Sequence, residues 1–168
     1  VDGRTLFYND IDGRAGYYAG FSANYSGAIE LRALHYDNRG DPTAPAPVID
    51  DYAWKTKFNS VGVRWTPDER WTLIWQRLQG RTYVGPELPA NCWLFDAEFV
   101  LASLSHRRHR LTARYDDFNM RQMISYSRGL NADSGYALTA AWSYQINEHW
   151  NVAAEALRID STLRSRRW

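Results

Sequence analysis

The sequence predicts an all-β chain: an antiparallel up-and-down transmembrane β-barrel with about eight strands present, expected to be part of a larger barrel. Three observations predict it. Apolar and polar residues alternate with period two, short turns alternate with long loops, and aromatic residues gather beside the short turns. The strands are expected over residues 16–25, 28–37, 54–65, 71–80, 93–104, 109–118, 135–145 and 149–160 of a single 168-residue domain.

The first hairpin alternates Tyr17, Ala19, Phe21, Ala23 and Tyr25 with Tyr18, Gly20, Ser22 and Asn24. It turns at Ser26-Gly27 and returns with Ile29 and Leu31 on the face opposite Glu30 and Arg32. In the second, Val61, Val63 and Trp65 share a face, Thr66-Pro67-Asp68-Glu69-Arg70 supplies the turn, and Trp71, Leu73 and Trp75 lead back. The third sets Phe95, Ala97, Phe99 and Leu101 against Asp96 and Glu98, then returns as Leu111, Ala113 and Tyr115 against Arg110, Thr112, Arg114 and Asp116. The fourth is the plainest: Tyr136, Leu138, Ala140, Trp142 and Tyr144 alternate with Ala137, Thr139, Ala141 and Ser143 before Trp150, Val152 and Ala154 run back. Between hairpins run residues 38–51, 80–91 and 117–134, rich in Pro, Gly and Asp.

Composition agrees once the period is known. Hydrophobic residues make up 45% of the chain and mean hydropathy is −0.55, because an apolar outward face averages against a polar inward one. No apolar run reaches the roughly 18 residues that a membrane-crossing helix needs. A net charge of +1 removes the electrostatic case for nucleic acid as a partner. Cys92 is alone, so no disulfide forms within the chain. The opening residues carry no leader pattern, so either a signal peptide has been removed or the chain is a piece of a longer one.

The short turns collect an interfacial girdle of Tyr25, Trp65, Trp71, Trp142, Tyr144 and Trp150, with a second belt of Trp93, Phe95, Tyr115, Tyr136 and Tyr36 at the loop end. In three returning strands the apolar set shifts by one residue, which predicts bulges near Ala33, Arg77 and Ala156. With those bulges Tyr17, Phe21, Val63, Phe99, Leu138 and Trp142 point outward. The inward arginines are Arg32, Arg64, Arg77, Arg110, Arg114 and Arg158, against the acids Glu30, Asp37, Asp96, Glu98, Asp116, Glu155 and Asp160. The near balance leaves open a transverse field across a pore or a set of cross-strand ion pairs that stiffen the wall.

The segments Asn59-Ser60-Val61-Gly62-Val63-Arg64-Trp65-Thr66-Pro67 and Ala154-Glu155-Ala156-Leu157-Arg158-Ile159-Asp160 resemble hairpins of phosphate-selective-porin-like barrels of the Gram-negative outer membrane. The resemblance covers nearly the whole chain through hairpin grammar. It implies passive diffusion of small hydrophilic solutes through a water-filled lumen in the bacterial outer membrane, against membrane lipid and commonly as a homotrimer. No functional residue of that family maps onto a position here, and the residues themselves lead to the expectation of no cofactor and no catalytic residue. Two departures, both ends on the long-loop side and no closing strand with a terminal Phe, predict a fragment of a barrel with at least ten strands.

Other chemistry finds weaker support. His106-Arg107-Arg108-His109 has two cations beside any metal, and Ser103 with His106 lacks an acid to orient the imidazole. Asp37-Asn38-Arg39-Gly40-Asp41 departs from calcium-loop spacing. Residues 117–134, with Met120, Met123, Ile124 and Tyr126, are the candidate for a segment folding into the lumen, against an ordinary exposed loop. The alternatives to a channel are a nontransporting eight-stranded envelope barrel, as adhesin or structural element, and a water-soluble β-barrel that binds a small apolar ligand.

Overall fold

The computed structural model describes residues 12–44, 53–85, 91–123 and 132–162. Eight strands follow one another: β1 (Tyr17–Tyr25), β2 (Ile29–Asp37), β3 (Trp54–Trp65), β4 (Trp71–Val84), β5 (Asn91–His106), β6 (His109–Gln122), β7 (Ala132–Gln145) and β8 (Asn151–Ser161). Each pairs antiparallel with its neighbours in chain order, in one sheet whose edges are β1 and β8. The up-and-down order is therefore as expected, and the sheet is open.

The hairpin turns are made by residues suited to them. Ser26 and Gly27 both take positive φ, 51° and 68°, the twist that a tight hairpin requires, and the Asn24 side chain accepts the Gly27 N–H at 2.9 Å. The Asp68 carboxylate accepts the N–H groups of Arg70 and Trp71, and Asn147 does the same for His149 and Trp150. Successive turns are tied along the rim by Thr66 N–H to Ala28 O, Ser105 N–H to Arg70 O and Gln145 N–H to Arg108 O, each at 2.8 Å. This rim is well built.

At the other rim the strands run further than the sequence suggested. β4 continues to Val84, and β6 continues to Gln122, so residues 117–122 are strand rather than loop. The β6 register carries Asn119 opposite Asp96 and Met120 opposite Phe95, because polar and apolar residues still alternate there. Ile124 and Tyr126 of the candidate lumen segment lie outside the described residues.

The expected bulges are absent. Every paired residue has one partner, including Ala33 with Phe21 and Val61, Arg77 with Val61 and Glu98, and Ala156 with Ala140. Parity is thus kept along each strand, and the apolar set changes face instead. On β6, Leu111, Ala113 and Tyr115 share one face, while Phe118 and Met120 lie on the other. On β5, Leu104, Ala102 and Val100 give way to Phe99, Ala97 and Phe95 in the same manner.

Among the described residues no second layer covers the sheet. Among the described residues the buried apolar side chains are Ala53 and Cys92, and no large side chain is fully buried. Cohesion comes from the hydrogen-bond ladder and from cross-strand side-chain pairs. One close approach stands out at Gly80, where a Cβ would overlap the Phe95 ring and come within 2.6 Å of the Lys57 carbonyl oxygen.

Candidate functional site: a charged concave face and an apolar convex band

The sheet curls around a groove of about 970 Å³ that reaches from β1 to β6. Its wall carries Ser22, Glu30, Arg32, Arg64, Gln76 and Arg110, which defines one face of the sheet as concave. Arg114, Asp116 and Glu155 share that face by register, through Leu101 opposite Arg114, Phe99 opposite Asp116 and Ala141 opposite Glu155. These residues hold the side predicted for them.

Four predicted pore-lining residues do not. Arg77, Asp96, Glu98 and Arg158 lie on the convex face, where Arg77 pairs with Asp96 at 3.1 Å and stands opposite Glu98. Asp37 and Asp160 are on this face too, Asp37 paired with Lys57 at 2.8 Å and Asp160 accepting a long 3.5 Å hydrogen bond from Tyr136. For Arg77, Arg158, Asp37 and Asp160 the cause is the missing bulges, which would have turned the residues beyond them through the sheet; on β5, where no bulge was expected, the register sets Val100, Ala102 and Leu104 on the convex face and Asp96 and Glu98 with them. Phe99 moves in the opposite sense. It faces the groove, and the Arg114 guanidinium sits 3.9 Å above its ring.

The concave face has its own electrostatics. Glu30 is held by Arg32 at 2.6 Å and more distantly by Arg64 at 3.9 Å, so one carboxylate meets two guanidinium groups. Arg114 grips Asp116, with Nε donating to Oδ1 at 2.9 Å. Arg110 donates to the Ser105 hydroxyl at 3.3 Å and enters no ion pair among the described residues. Hydroxyl and amide contacts fill in between, with Gln76 donating to Ser60 at 3.0 Å and Ser103 bonded to Thr112 at 3.0 Å.

The convex face beside the short turns is apolar on all eight strands. One row runs Ala23, Leu31, Val63, Trp75, Val100, Tyr115 and Leu138, each directly opposite the next, and ends on β8 at Arg158. Below it lie Tyr25, Trp65, Trp71, Trp142 and Tyr144 of the predicted girdle, all on this one face, with Trp150 in the adjoining turn. Tyr25 is 74% exposed, Phe21 67% and Trp150 68%. Contiguous apolar surface of this kind marks contact with lipid or protein. The second belt is not a belt, because Tyr115 and Tyr136 stack at 6.2 Å on the convex face while Trp93, Phe95 and Tyr36 are concave.

Sequence reasoning missed His109. Trp142 Nε1 donates to His109 Nδ1 at 3.2 Å and the Tyr144 ring lies 4.8 Å away, so the histidine completes the girdle. It also missed a chain on the convex face, where His35 Nδ1 meets Asn59 Oδ1 at 2.7 Å and Nε2 meets the Tyr17 hydroxyl at 3.5 Å. The register places His35 directly opposite Asn59, a signal readable only once strand pairing is known. Ser103 and His106 fall on opposite faces. Among the described residues no group of His, Cys, Asp and Glu is arranged to hold a metal.

Among the described residues no helix is long and apolar enough to cross a membrane, which leaves crossing by strands untouched. Comparison of the chain with protein-family models, with curated proteins and with solved structures finds no match.

Proposed function

We propose that the chain is the wall, or part of the wall, of a porin-like β-barrel in a bacterial outer membrane, passing small hydrophilic solutes by passive diffusion. The observation that carries the reading is the pairing of two opposite surfaces on one sheet: an apolar convex band edged by Trp and Tyr, and a concave groove lined by Arg, Glu, Ser and Gln. Lipid accepts the first and water the second. Barrel closure follows from the same physics, since a sheet left open at β1 and β8 would leave edge backbone groups unsatisfied in hydrocarbon. Further strands or a β1–β8 seam would supply it, and association into a homotrimer is part of the same reading.

A nontransporting envelope barrel is the second reading. Ion pairs already made on the concave face, Arg32 with Glu30 and Arg114 with Asp116, favour it by occupying charges that a solute would otherwise meet. Single-channel recording of the intact gene product in a planar bilayer separates the two. Steps of constant size in salt are expected of the channel, and a silent bilayer containing folded, inserted protein would sink it.

A further inference from the structure

The concave face is divided along its strands. Beside the short turns it carries Glu30 against Arg32, Arg64 and Arg110, with Ile74 and Leu101 set between the arginines. Two residues further along β2 it becomes apolar at Leu34, and two further again at Tyr36. Neighbouring strands follow: Leu78 opposite Ala97, Ala97 opposite Phe118, and Phe58 opposite both Tyr36 and Gly80. The Tyr36 and Phe58 rings stack at 4.9 Å, and Gly80 leaves the space that the Phe95 ring fills. Leu34 and Leu78 remain part-exposed toward the concave side, so this apolar zone is not closed by its own side chains.

The charge beside that zone has a sign. In the groove Glu30 is outnumbered by Arg32, Arg64 and Arg110, and the acids that would have balanced them, Asp96 and Glu98, face the other way. Arg64 is 54% exposed and only loosely held, 3.9 Å from Glu30. A guanidinium so placed offers parallel N–H donors to an incoming carboxylate. The distance fits a small molecule, because two strand residues rise about 7 Å and four about 13 Å.

Resting on the channel reading only for the direction of passage, we propose that the concave face binds amphipathic organic anions. The carboxylate meets Arg64, which Glu30 holds only at 3.9 Å, and the apolar body lies along Leu34 and Leu78. Inorganic phosphate engages the arginines alone, and a neutral apolar molecule engages the upper zone alone. Neither complements both halves.

The test is equilibrium binding to the protein in lipid nanodiscs, followed by saturation-transfer NMR with benzoate, inorganic phosphate, benzyl alcohol and benzylammonium as probes. Benzoate is expected to bind at least about fivefold more tightly than each of the others, since it alone makes the charge-assisted and the apolar contacts. Arg64→Gln should weaken benzoate and phosphate alike, by about tenfold, and Leu78→Ser should weaken benzoate while leaving phosphate unchanged. Equal binding of benzoate and phosphate, or of benzoate and benzyl alcohol, by the unaltered protein overturns the proposal without reference to any variant. Benzoate preference in a protein that conducts no current would uphold the site and defeat the channel; conductance without the preference would do the reverse.

Discussion

Placing one arginine on either face of the sheet separates lipid contact from water contact. Ala102 lies midway along the convex apolar stretch of β5, with Leu73 opposite it on β4 and Ala113 opposite it on β6. Ala141 lies on the concave face with Thr112 on one side and Glu155 on the other. An arginine facing the bilayer midplane costs about 2–4 kcal/mol, which lowers the folded-to-unfolded ratio by roughly 30- to 700-fold. A surface substitution in water usually stays within about 0.5 kcal/mol, and Ala141→Arg gains an opposite charge in Glu155. Ala102→Arg should therefore lose about 2–4 kcal/mol and Ala141→Arg almost nothing, in reversible urea titrations with lipid vesicles read by tryptophan emission. Equal losses in the two variants, or a larger one at Ala141, would show that the convex band does not meet lipid and would refute the membrane assignment.

The convex ion pair Arg77–Asp96 should show a coupling of only about 0.2–1 kcal/mol in a double-mutant cycle, because both partners are exposed. Removing both should leave channel conductance unchanged; a changed conductance would return them to the pore. Gly80→Ala should destabilise by about 1–3 kcal/mol through overlap with Phe95 and the Lys57 carbonyl, and Phe95→Leu should recover part of the loss in thermal melts. Near the loop rim, hydrogen bonds from the Thr43 hydroxyl and N–H, with Arg14 beside it, hold the Asp41 carboxyl below its ordinary 3.8. The tie is then complete above pH 3.8 and is lost as pH falls below that value through the lowered one, which amide exchange at Thr43 would follow.

Strand existence and order were legible because period two and turn chemistry are local. Asp68 and Asn147 show it: each caps its own turn, and no distant residue is needed to interpret it. Faces near the short turns were legible for the same reason, and Tyr25, Trp65, Trp71, Trp142 and Tyr144 share the side assigned to them. The far halves of the strands were not. At Arg77 the sequence shows Leu73, Trp75 and then Leu78, and requiring one apolar face along the whole strand forces a bulge. Uninterrupted pairing of β4 with both β3 and β5 meets no such requirement, because the cross-strand partners change character at the same level. Arg77 meets Glu98 where Leu78 meets Ala97. Which environment a face occupies depends on neighbours far away in sequence, and period alone is blind to it.

That exchange of faces sets how much of the sheet lipid can cover. On β5 the convex apolar set runs from Leu104 to Val100, four residue steps, or about 14 Å along the strand. On β7 it runs from Tyr144 to Leu138, about 20 Å. A typical barrel band is about 25 Å tall, and strand tilt shortens these spans further. Immediately beyond stand Arg77 with Asp96 and, nearer the loop rim, Lys57 with Asp37, whose ions belong in water. On the proposed reading the half beside the short turns crosses the bilayer, and the long-loop half projects from it with a polar outside and an apolar inside. A band this short should tolerate a thin bilayer better than a thick one, by the cost of mismatch. Folding yield should therefore be highest in vesicles of ten- or twelve-carbon phosphatidylcholines and fall in dioleoyl lipid, measured by protease protection at matched protein-to-lipid ratio. A yield that instead peaks in the thicker bilayer would mean that the convex surface beyond Val100 also meets lipid, and that the uninterrupted pairing of β4 and β5 is not the membrane form.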